Sequence, residues 1–269
     1  MEEETRLERG YNKLREVDGK AGEEVKTNLD EISPDLAKYI IEYAFGDIYS
    51  RDGLDLQSKE IAVVAALTAL GNVVPQLKVH LNGALNVGCT INEIKEIILQ
   101  MSSYSGFPTC LNAMNALKDV LNERRNQGIE DYIGDNPTDE AICTTEKYEI
   151  GAKELSKLDC MQVERLEREY NDFSPTLVKL IVHSYADIFS RNNLDIKYRQ
   201  IATIAALTAL GNAQSQLKFH INAGLNVGLT ADDIKEIMLL LTVFSGFPSA
   251  INGMNMLKEA LKDSNSGIN

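Results

Sequence analysis

The apolar stretches of this chain are bounded by helix signals, and no segment alternates apolar and polar residues as a strand does. Ser33 before Pro34 is typical of a helix start, Gly71 of a helix end, and the T-x-x-E spacing from Thr90 to Glu93 of a capping box. We therefore predict an all-α chain. Its first half is predicted to hold helices over residues 34–49, 57–70, 75–87, 91–104 and 108–121.

The same pattern occurs twice along the chain. The segment IAVVAALTALGN, from Ile61 to Asn72, recurs as IATIAALTALGN from Ile201 to Asn212. More than half of the positions in residues 54–121 are identical to those in residues 194–261. Self-similarity of this extent indicates a tandem duplication.

Weaker matches carry the repeat upstream. Gly10 and Asp18 match Gly151 and Asp159, and a polar stretch rich in turn residues separates the two halves. Because duplicated helical hairpins pack as one bundle, we expect the copies to pack about a pseudo-twofold axis. The predicted domains are a first repeat over residues 1–128, a linker over 129–143 and a second repeat over 144–269.

Composition excludes several classes of partner. The formal net charge is −13, which repels phosphate backbones and anionic membranes, so we expect no nucleic-acid or membrane partner. No apolar run approaches the roughly 18 residues that a bilayer span needs. The acidic N-terminus lacks the order of a secretory signal, and we predict a cytoplasmic protein.

The cysteines show no metal-ligand spacing and no C-x-x-C pair. Free thiols are the expectation for a reducing compartment. The residues concerned are Cys89, Cys110, Cys143 and Cys160.

Two of the three histidines occupy matched positions in the repeats. His80 and His220 both follow the Ala-Leu-Gly-Asn turn, in QLKVH and QLKFH. Histidine titrates near neutral pH and suits proton transfer, although duplication copies structural residues just as faithfully. Glu60 precedes His80 across the turn, and an antiparallel hairpin would place the two about 7 Å apart along its axis, within reach of one water. The matching residue in the second copy is Gln200, which cannot act as a base.

Matched cations and one aromatic position complete the candidate site. A solvated helix face and a binding site for carboxylates are both open interpretations of the cations. Tyr104 corresponds to Phe244, and we interpret it as a core ring or a proton donor. The matched cations are Lys59 with Arg199, Arg51 with Arg191, and Lys78 with Lys218.

These motifs resemble the carboxymuconolactone decarboxylase family in order and spacing. The residues that carry the resemblance are the stretch from Glu42 to Asp55, the ALTALG and QLKVH motifs, ALNVG at 84–88, and YSGFP at 104–108. The resemblance implies an all-helical fold of the alkylhydroperoxidase D type. Single-domain members form hexameric rings, so a tandem chain is expected to form a homotrimeric ring.

For activity, the resemblance implies a carboxy-lyase that needs no cofactor or metal and acts on a small anionic metabolite, a carboxylated lactone or oxo acid. It implies that His80 donates the proton, and we extend the catalytic candidates to Glu60 and His220. The candidate substrate-binding residues are Lys59, Arg51, Gln76, Tyr104 and Arg199.

Two alternatives stay open. The neighbouring branch of the superfamily, which resembles alkylhydroperoxidase D, uses a glutamate, a C-x-x-C pair and a histidine for peroxide reduction, but Val73 and Gln76 stand at the cysteine positions. The other alternative is a non-catalytic oligomeric binding protein. If only one repeat is active, we predict the first, because Glu60 and Tyr104 accompany His80 there, while Gln200 and Phe244 accompany His220.

Overall fold

The computed structural model describes residues 4–137 and 146–265, and within these ranges the chain forms helices and turns with no strand. The helices of the first repeat are α1 (Arg6–Val17), α2 (Gly19–Asp30), α3 (Pro34–Tyr39), α4 (Leu56–Leu70), α5 (Val74–Asn86), α6 (Ile91–Gln100) and α7 (Phe107–Asn126). Those of the second are α8 (Lys147–Leu158), α9 (Gln162–Tyr170), α10 (Pro175–Ser184), α11 (Ile196–Leu210), α12 (Gln214–Asn226), α13 (Ala231–Phe244) and α14 (Gly246–Asn265). The all-α prediction and the tandem duplication are confirmed.

The local signals behave as predicted at two of the helix boundaries. Gly71 ends α4 in the left-handed region at φ 72°, which only glycine adopts at little cost. Thr90 and Glu93 form both hydrogen bonds of the capping box at the start of α6. Ser33 is the N-cap residue of α3 and Pro34 its first residue, as predicted, although the Ser33 side chain makes no capping hydrogen bond.

Two predicted helices change their winding before they end. The helix expected over 34–49 is α-helical only to Tyr39 and continues as a π-helical segment, Ile40–Tyr49. A π-helix shifts the angular position of each following side chain, and such segments often occur at functional sites. The helix expected to reach residue 104 ends at Gln100, and a 3₁₀ turn, Met101–Ser103, follows it. The second repeat has a shorter π-helical segment, Tyr185–Phe189.

The helices α4 and α11 form the centre of the bundle and pack against each other. Both are buried on every side over most of their length, which explains their nearly continuous apolar sequence. The contacts around them are reciprocal: Arg51 binds Glu236 at 2.7 Å, and Arg191 binds Glu96 at 2.7 Å. Since these four residues are matched between the copies, the pairs show the predicted pseudo-twofold arrangement.

The N-terminal helix of each repeat packs closely on the π-helical region, and the matched glycines allow it. A Cβ on Gly10 would lie 2.1 Å from the carbonyl oxygen of Ile41, and one on Gly151 would lie 1.9 Å from that of Val182. This approach brings the end of α1, and with it Asp18, to the middle of the first repeat.

The first part of the predicted linker packs on the first repeat. Backbone amides of Ile91 and Asn92 donate to the carbonyl oxygens of Tyr132 and Ile133, and Asp131 forms a salt bridge with the arginine at 124. The rest of the linker, residues 138–143, lies outside the described residues, and the exact domain boundaries stay a prediction. Among the described helices, none has the length and apolar character to cross a membrane.

Candidate functional site

The turn at Gly71 places α4 and α5 side by side, so that Glu60 and His80 face each other. His80 Nδ1 lies 3.1 Å from Glu60 Oε2. The sequence placed the two residues within reach of each other, and the structure shows that they form a direct hydrogen bond. A carboxylate only accepts, so the Nδ1–H of His80 is the donor.

Tyr49, at the end of the first π-helical segment, fixes Glu60 from the other side. Its hydroxyl donates to Glu60 Oε1 at 2.7 Å, and both residues are buried. Glu60 therefore accepts one bond at each oxygen, and the two donors fix its orientation. Sequence reasoning did not select Tyr49, since an aromatic residue in a helix is usually part of the core.

Asp18 is the third ionisable group of this cluster. Its Oδ1 lies 4.0 Å from His80 Nδ1, is fully buried and has no hydrogen-bond partner among the described residues. Burial, reinforced by the nearby charge of Glu60 and opposed by that of His80, raises the pKa of Asp18 to about 7. In the sequence, Asp18 is marked as a residue of interest only by its match with Asp159 in the second repeat.

The electrostatic environment of His80 favours its protonated form. Burial by itself lowers the pKa of a histidine, but the charges of Glu60 and Asp18 and the hydrogen bond to Glu60 outweigh it and raise the pKa of His80. Because Nδ1 is engaged with Glu60, Nε2 is the nitrogen available to a ligand. The cluster thus has the parts of a proton-transfer site near neutral pH.

A cavity of about 290 Å³ adjoins this cluster, and its wall is mostly apolar. Asp18, Tyr49 and His80 line one part of it, together with Gln76. The ring of Phe244, from the second repeat, meets the His80 ring edge-on at 4.8 Å. The site is therefore built from both repeats.

At the equivalent position of the second repeat, the histidine has uncharged hydrogen-bond partners. His220 Nδ1 lies 3.0 Å from the amide oxygen of Gln200, and Nε2 lies 3.2 Å from the hydroxyl of Tyr104. With no charged partner, burial lowers the pKa of His220 to about 3. The imidazole is therefore neutral at physiological pH, with Nδ1 donating to Gln200 and Nε2 accepting from Tyr104.

The cavity at His220 is larger, about 960 Å³, and more polar. Asp159, which matches Asp18, lies in its wall but pairs with Arg165. Lys218 also lines this cavity and pairs with Asp263 at 2.6 Å. The acidic cluster of the first repeat is therefore not reproduced.

Tyr104 and Phe244 lie in the opposite sites to those we expected. We associated Tyr104 with His80 and Phe244 with His220 because each pair shares a repeat. The pseudo-twofold packing carries each ring to the histidine of the other repeat. Burial raises the pKa of Tyr104 to about 12, so its hydroxyl acts as a hydrogen-bond donor rather than an acid.

Three of the predicted substrate-binding cations lie away from the cavity at His80. Lys59 is buried, and its Nζ donates to the carbonyl oxygens of Tyr49 and Arg51. Arg51 is exposed and bound to Glu236. Their positions correct the expectation that these cations line the histidine's cavity.

The third of these cations, Arg199, is buried between the repeats. Its guanidinium binds Glu96 and Gln100 at 3.2 Å each. Of the five substrate-binding candidates, only Gln76 lines the cavity at His80.

The cysteines offer no thiol pair among the residues that the structure describes. Cys89 and Cys110 are buried, and burial raises the pKa of both thiols, which disfavours the reactive thiolate. Cys160 is exposed and lies in the second repeat. Cys143 lies outside the described residues. This arrangement gives no support to the peroxidase alternative.

Comparison with known proteins identifies the class. The family model described as "Carboxymuconolactone decarboxylase family" matches residues 34–119 and again residues 175–259. The chain therefore belongs to the carboxymuconolactone decarboxylase family and carries two copies of its domain. The resemblance seen in the sequence is confirmed.

Several relatives are named as decarboxylases. The chain is 33% identical over 124 residues to 4-carboxymuconolactone decarboxylase of Acinetobacter baylyi, a match that covers 46% of this chain and 92% of the relative. It is 33% identical over 94 residues to a nitrosuccinic acid decarboxylase of Metarhizium robertsii, which covers 33% of this chain and 62% of that protein. These two relatives are thus named for the decarboxylation of different acids.

A solved structure supports the fold of the whole chain. The crystal structure of a proposed gamma-carboxymuconolactone decarboxylase subunit from Burkholderia xenovorans LB400 superposes with a TM-score of 0.55 at 21% identity. The superposition covers 97% of this chain and 100% of the other. At this identity the similarity concerns the fold alone.

Proposed function

We propose that this protein is a carboxy-lyase that needs no cofactor and acts on a small carboxylated lactone or oxo acid, with His80 as the proton donor. The observation that carries the proposal is the bond from His80 to Glu60 beside a mostly apolar cavity. The decarboxylases among its relatives support the reaction class.

The arrangement fits the needs of a decarboxylation. When the bond to the carboxylate breaks, CO₂ leaves, and the electron pair passes into the substrate toward a carbonyl oxygen. A proton must then reach the carbon that lost CO₂. Protonated His80 delivers it through Nε2, and Glu60 stabilises the imidazolium before transfer and holds the ring afterwards.

We assign this chemistry to the first repeat. At neutral pH His220 has no proton to give through Nε2, because that nitrogen accepts from Tyr104 and burial holds its pKa at about 3. In this proposal the second repeat supports the first by supplying Phe244 to the active cavity.

The test compares the two histidines directly. We expect His80→Gln to lower kcat on 4-carboxymuconolactone by about 10²–10⁴-fold, the usual contribution of a positioned acid, and His220→Gln to stay within a few fold of the parent protein. Loss of the lactone's ultraviolet absorbance gives the rate. Equal effects of the two substitutions would contradict the assignment to one repeat, and full activity of His80→Gln would remove the proton-donor role.

We further propose that the chain forms a homotrimeric ring. Two equivalent sets of apolar side chains are exposed, each drawn from both repeats, and the contact of Tyr43 with Phe247 shows that α14 reaches the α3 side of the first patch. Since exposed patches of this kind mark interfaces, joining patch to patch between chains would close a ring. The first patch is Leu36, Tyr39, Phe247 and Ile251, and the second is Leu177, Leu180, Phe107 and Leu111.

Light scattering after size-exclusion chromatography tests this assembly. We expect three times the chain mass of 29.8 kDa for the parent protein and a lower mass for Leu180→Glu, whose side chain is 61% exposed. A monomeric parent protein would contradict the proposal. A cytoplasmic location and an anionic metabolite as ligand also stay predictions.

A further inference from the structure

Two buried carboxyl groups share one imidazole in the first repeat. The side chains of Asp18 and Glu60 are at most 3% exposed, and both approach His80 Nδ1. Gly83 leaves room for them, since a Cβ there would lie 2.9 Å from Asp18 Oδ1 and 2.9 Å from Glu60 Oε2. If both carboxyl groups were ionised, a single imidazolium would have to balance two negative charges. Burial makes that arrangement costly.

The hydrogen bonds distinguish the two carboxyl groups. Glu60 accepts from Tyr49 at 2.7 Å and from His80 at 3.1 Å, so each of its oxygens has a donor. Asp18 Oδ1 has no donor, and the residue does not cap α2 with its side chain. A buried carboxylate oxygen without a donor is unstable, whereas a neutral carboxylic acid is tolerated in an apolar site.

The second repeat shows that the fold does not require this arrangement. Asp159, the match of Asp18, binds Arg165 and accepts from the backbone amide of Met161 at 2.9 Å. The residue that matches Gly83 is Ala223, and Gln200 replaces the glutamate. The unpartnered acid beside the cavity is therefore specific to the repeat that holds the ionised pair.

We infer that Asp18, carrying a proton, is a second acid of the His80 site and hydrogen-bonds the substrate oxygen on which negative charge develops as CO₂ leaves. This inference rests on the proposed function. In the reaction, the C–C bond to the carboxylate breaks and its electron pair moves to the carbonyl oxygen, where the Asp18 hydroxyl donates. The proton of His80 then forms the new C–H bond, and His80 regains a proton from solvent, so that one proton is consumed for each CO₂ released.

The cavity also restricts the class of substrate. Apart from the polar groups around His80, its wall consists mostly of hydrocarbon side chains, including Leu14, Ile41 and Val243. Among the side chains that the structure describes, that wall carries no lysine or arginine, so a carboxylate can be held only at the polar part of the cavity, beside His80 and Gln76. The class that fits is a compact carboxylated lactone or oxo acid whose carboxylates lie at that part and whose remaining skeleton is apolar.

Carbon-13 NMR of the full chain, labelled at the aspartate carboxyl carbons, tests the protonation of Asp18 without any substrate. We expect one aspartate signal to titrate near pH 7, to be absent in Asp18→Asn, and to persist in the matched control Asp159→Asn. The titratable groups that face Asp18 are Glu60, His80 and Tyr49. A signal that titrates below about pH 5, as an ordinary aspartate does, overturns the inference.

Turnover of 4-carboxymuconolactone tests the role of that proton. We expect Asp18→Ala to lower kcat by about 10²-fold and Asp18→Asn, which keeps a donor, by no more than about 10-fold. The parent protein should lose activity above about pH 7, as Asp18 ionises, and Asp18→Asn should lack that decline. A parent enzyme that is inactive on the lactone while the NMR titration holds would count against the proposed function and not against the protonation of Asp18. Asp18→Ala at parental rates with an unchanged pH profile overturns its role.

The same three side chains could instead coordinate a divalent cation, since an imidazole and two carboxylates are ligands for Zn²⁺ and Mn²⁺. Titration calorimetry with each metal ion alone distinguishes this. We expect no binding that depends on Asp18. Micromolar affinity in the parent protein that is lost in Asp18→Asn and kept in Asp159→Asn overturns the inference in favour of a metal site.

Discussion

In the first repeat the imidazole of His80 contacts the carboxylate of Glu60, whereas in the second the imidazole of His220 contacts the amide of Gln200. The helices, the turns and the position of the histidine are the same in both. One exchange of carboxylate for amide reverses the direction of the pKa shift, because a buried imidazolium is stable only beside a negative charge. Equivalent geometry thus supports proton transfer in one repeat and a structural hydrogen bond in the other.

The rings exchanged between the repeats reinforce the difference. Phe244 offers His80 an apolar edge, so Nε2 stays available, while Tyr104 donates to Nε2 of His220 and occupies it. Each repeat therefore determines the state of the histidine in the other. The cavity at His80 is therefore built from both copies.

The largest expected effect comes from making the first repeat resemble the second. Glu60→Gln removes the charge that stabilises protonated His80, and we expect kcat on 4-carboxymuconolactone to fall by about 10²-fold or more. The reciprocal change, Gln200→Glu, should leave the rate within a few fold, because Tyr104 still occupies Nε2. Loss of the lactone's ultraviolet absorbance measures both rates. Full activity of Glu60→Gln would show that catalysis does not depend on the hydrogen-bonded pair of Glu60 and His80.

A second effect distinguishes the histidines by pH. His220 has its pKa lowered to about 3 in the folded chain against about 6.5 in an unfolded one. Its stabilising contribution is therefore present above pH 6.5 and is lost as the pH falls toward 3. We expect a loss of about 2 kcal/mol between pH 6.5 and pH 5 from this residue.

Chemical denaturation at the two pH values measures the loss. Between these two pH values, the free energy of unfolding of His220→Gln should fall by about 2 kcal/mol less than that of the parent protein. His80 has the opposite sign, since its pKa is raised and its contribution is lost as the pH rises through that value. An unchanged pH dependence in His220→Gln would contradict the neutral state of that imidazole.

The last comparison concerns the reciprocal salt bridges and affects stability only. Glu96 is buried and binds both Arg191 and Arg199, whereas Glu236 binds the exposed Arg51. Glu96→Gln leaves the buried Arg199 without its charged partner and should lower the free energy of unfolding by about 3 kcal/mol. Glu236→Gln should lower it by less than about 1 kcal/mol. Equal urea midpoints of unfolding for Glu96→Gln and Glu236→Gln would show that burial does not distinguish the two salt bridges.

Local sequence signals predicted the helix boundaries well where a boundary depends on residues a few positions apart. The glycine at 71 and the capping box at Thr90 fix boundaries through bonds within a few positions. The π-helical winding from Ile40 was not predicted, because it is stabilised by the close packing of α1 at Gly10. The helices α1 and α2 were not predicted as helices, and only weak matches between the repeats were seen in that region.

The site was predicted only in part, because the sequence indicates contacts between residues of one hairpin but not contacts between distant segments. Glu60 and His80 lie in one hairpin, so their pairing follows from the turn between them. Asp18 and Phe244 come from distant parts of the chain, and no local pattern indicates that they meet at His80. The matched cations misled the sequence interpretation, since conserved spacing between repeats is equally compatible with structural bonds such as those of Lys59.

The sequence by itself determined that this chain is a duplicated helical domain of the carboxymuconolactone decarboxylase family and that only one copy pairs its histidine with a carboxylate. The tertiary structure decided which aromatic ring reaches each histidine, and it placed Asp18 without a donor beside the cavity. Helix periodicity and turns act over a few residues and can be read along the chain. Burial and charge at a site depend on residues that only packing brings together, and those two quantities determine which imidazole can carry a proton.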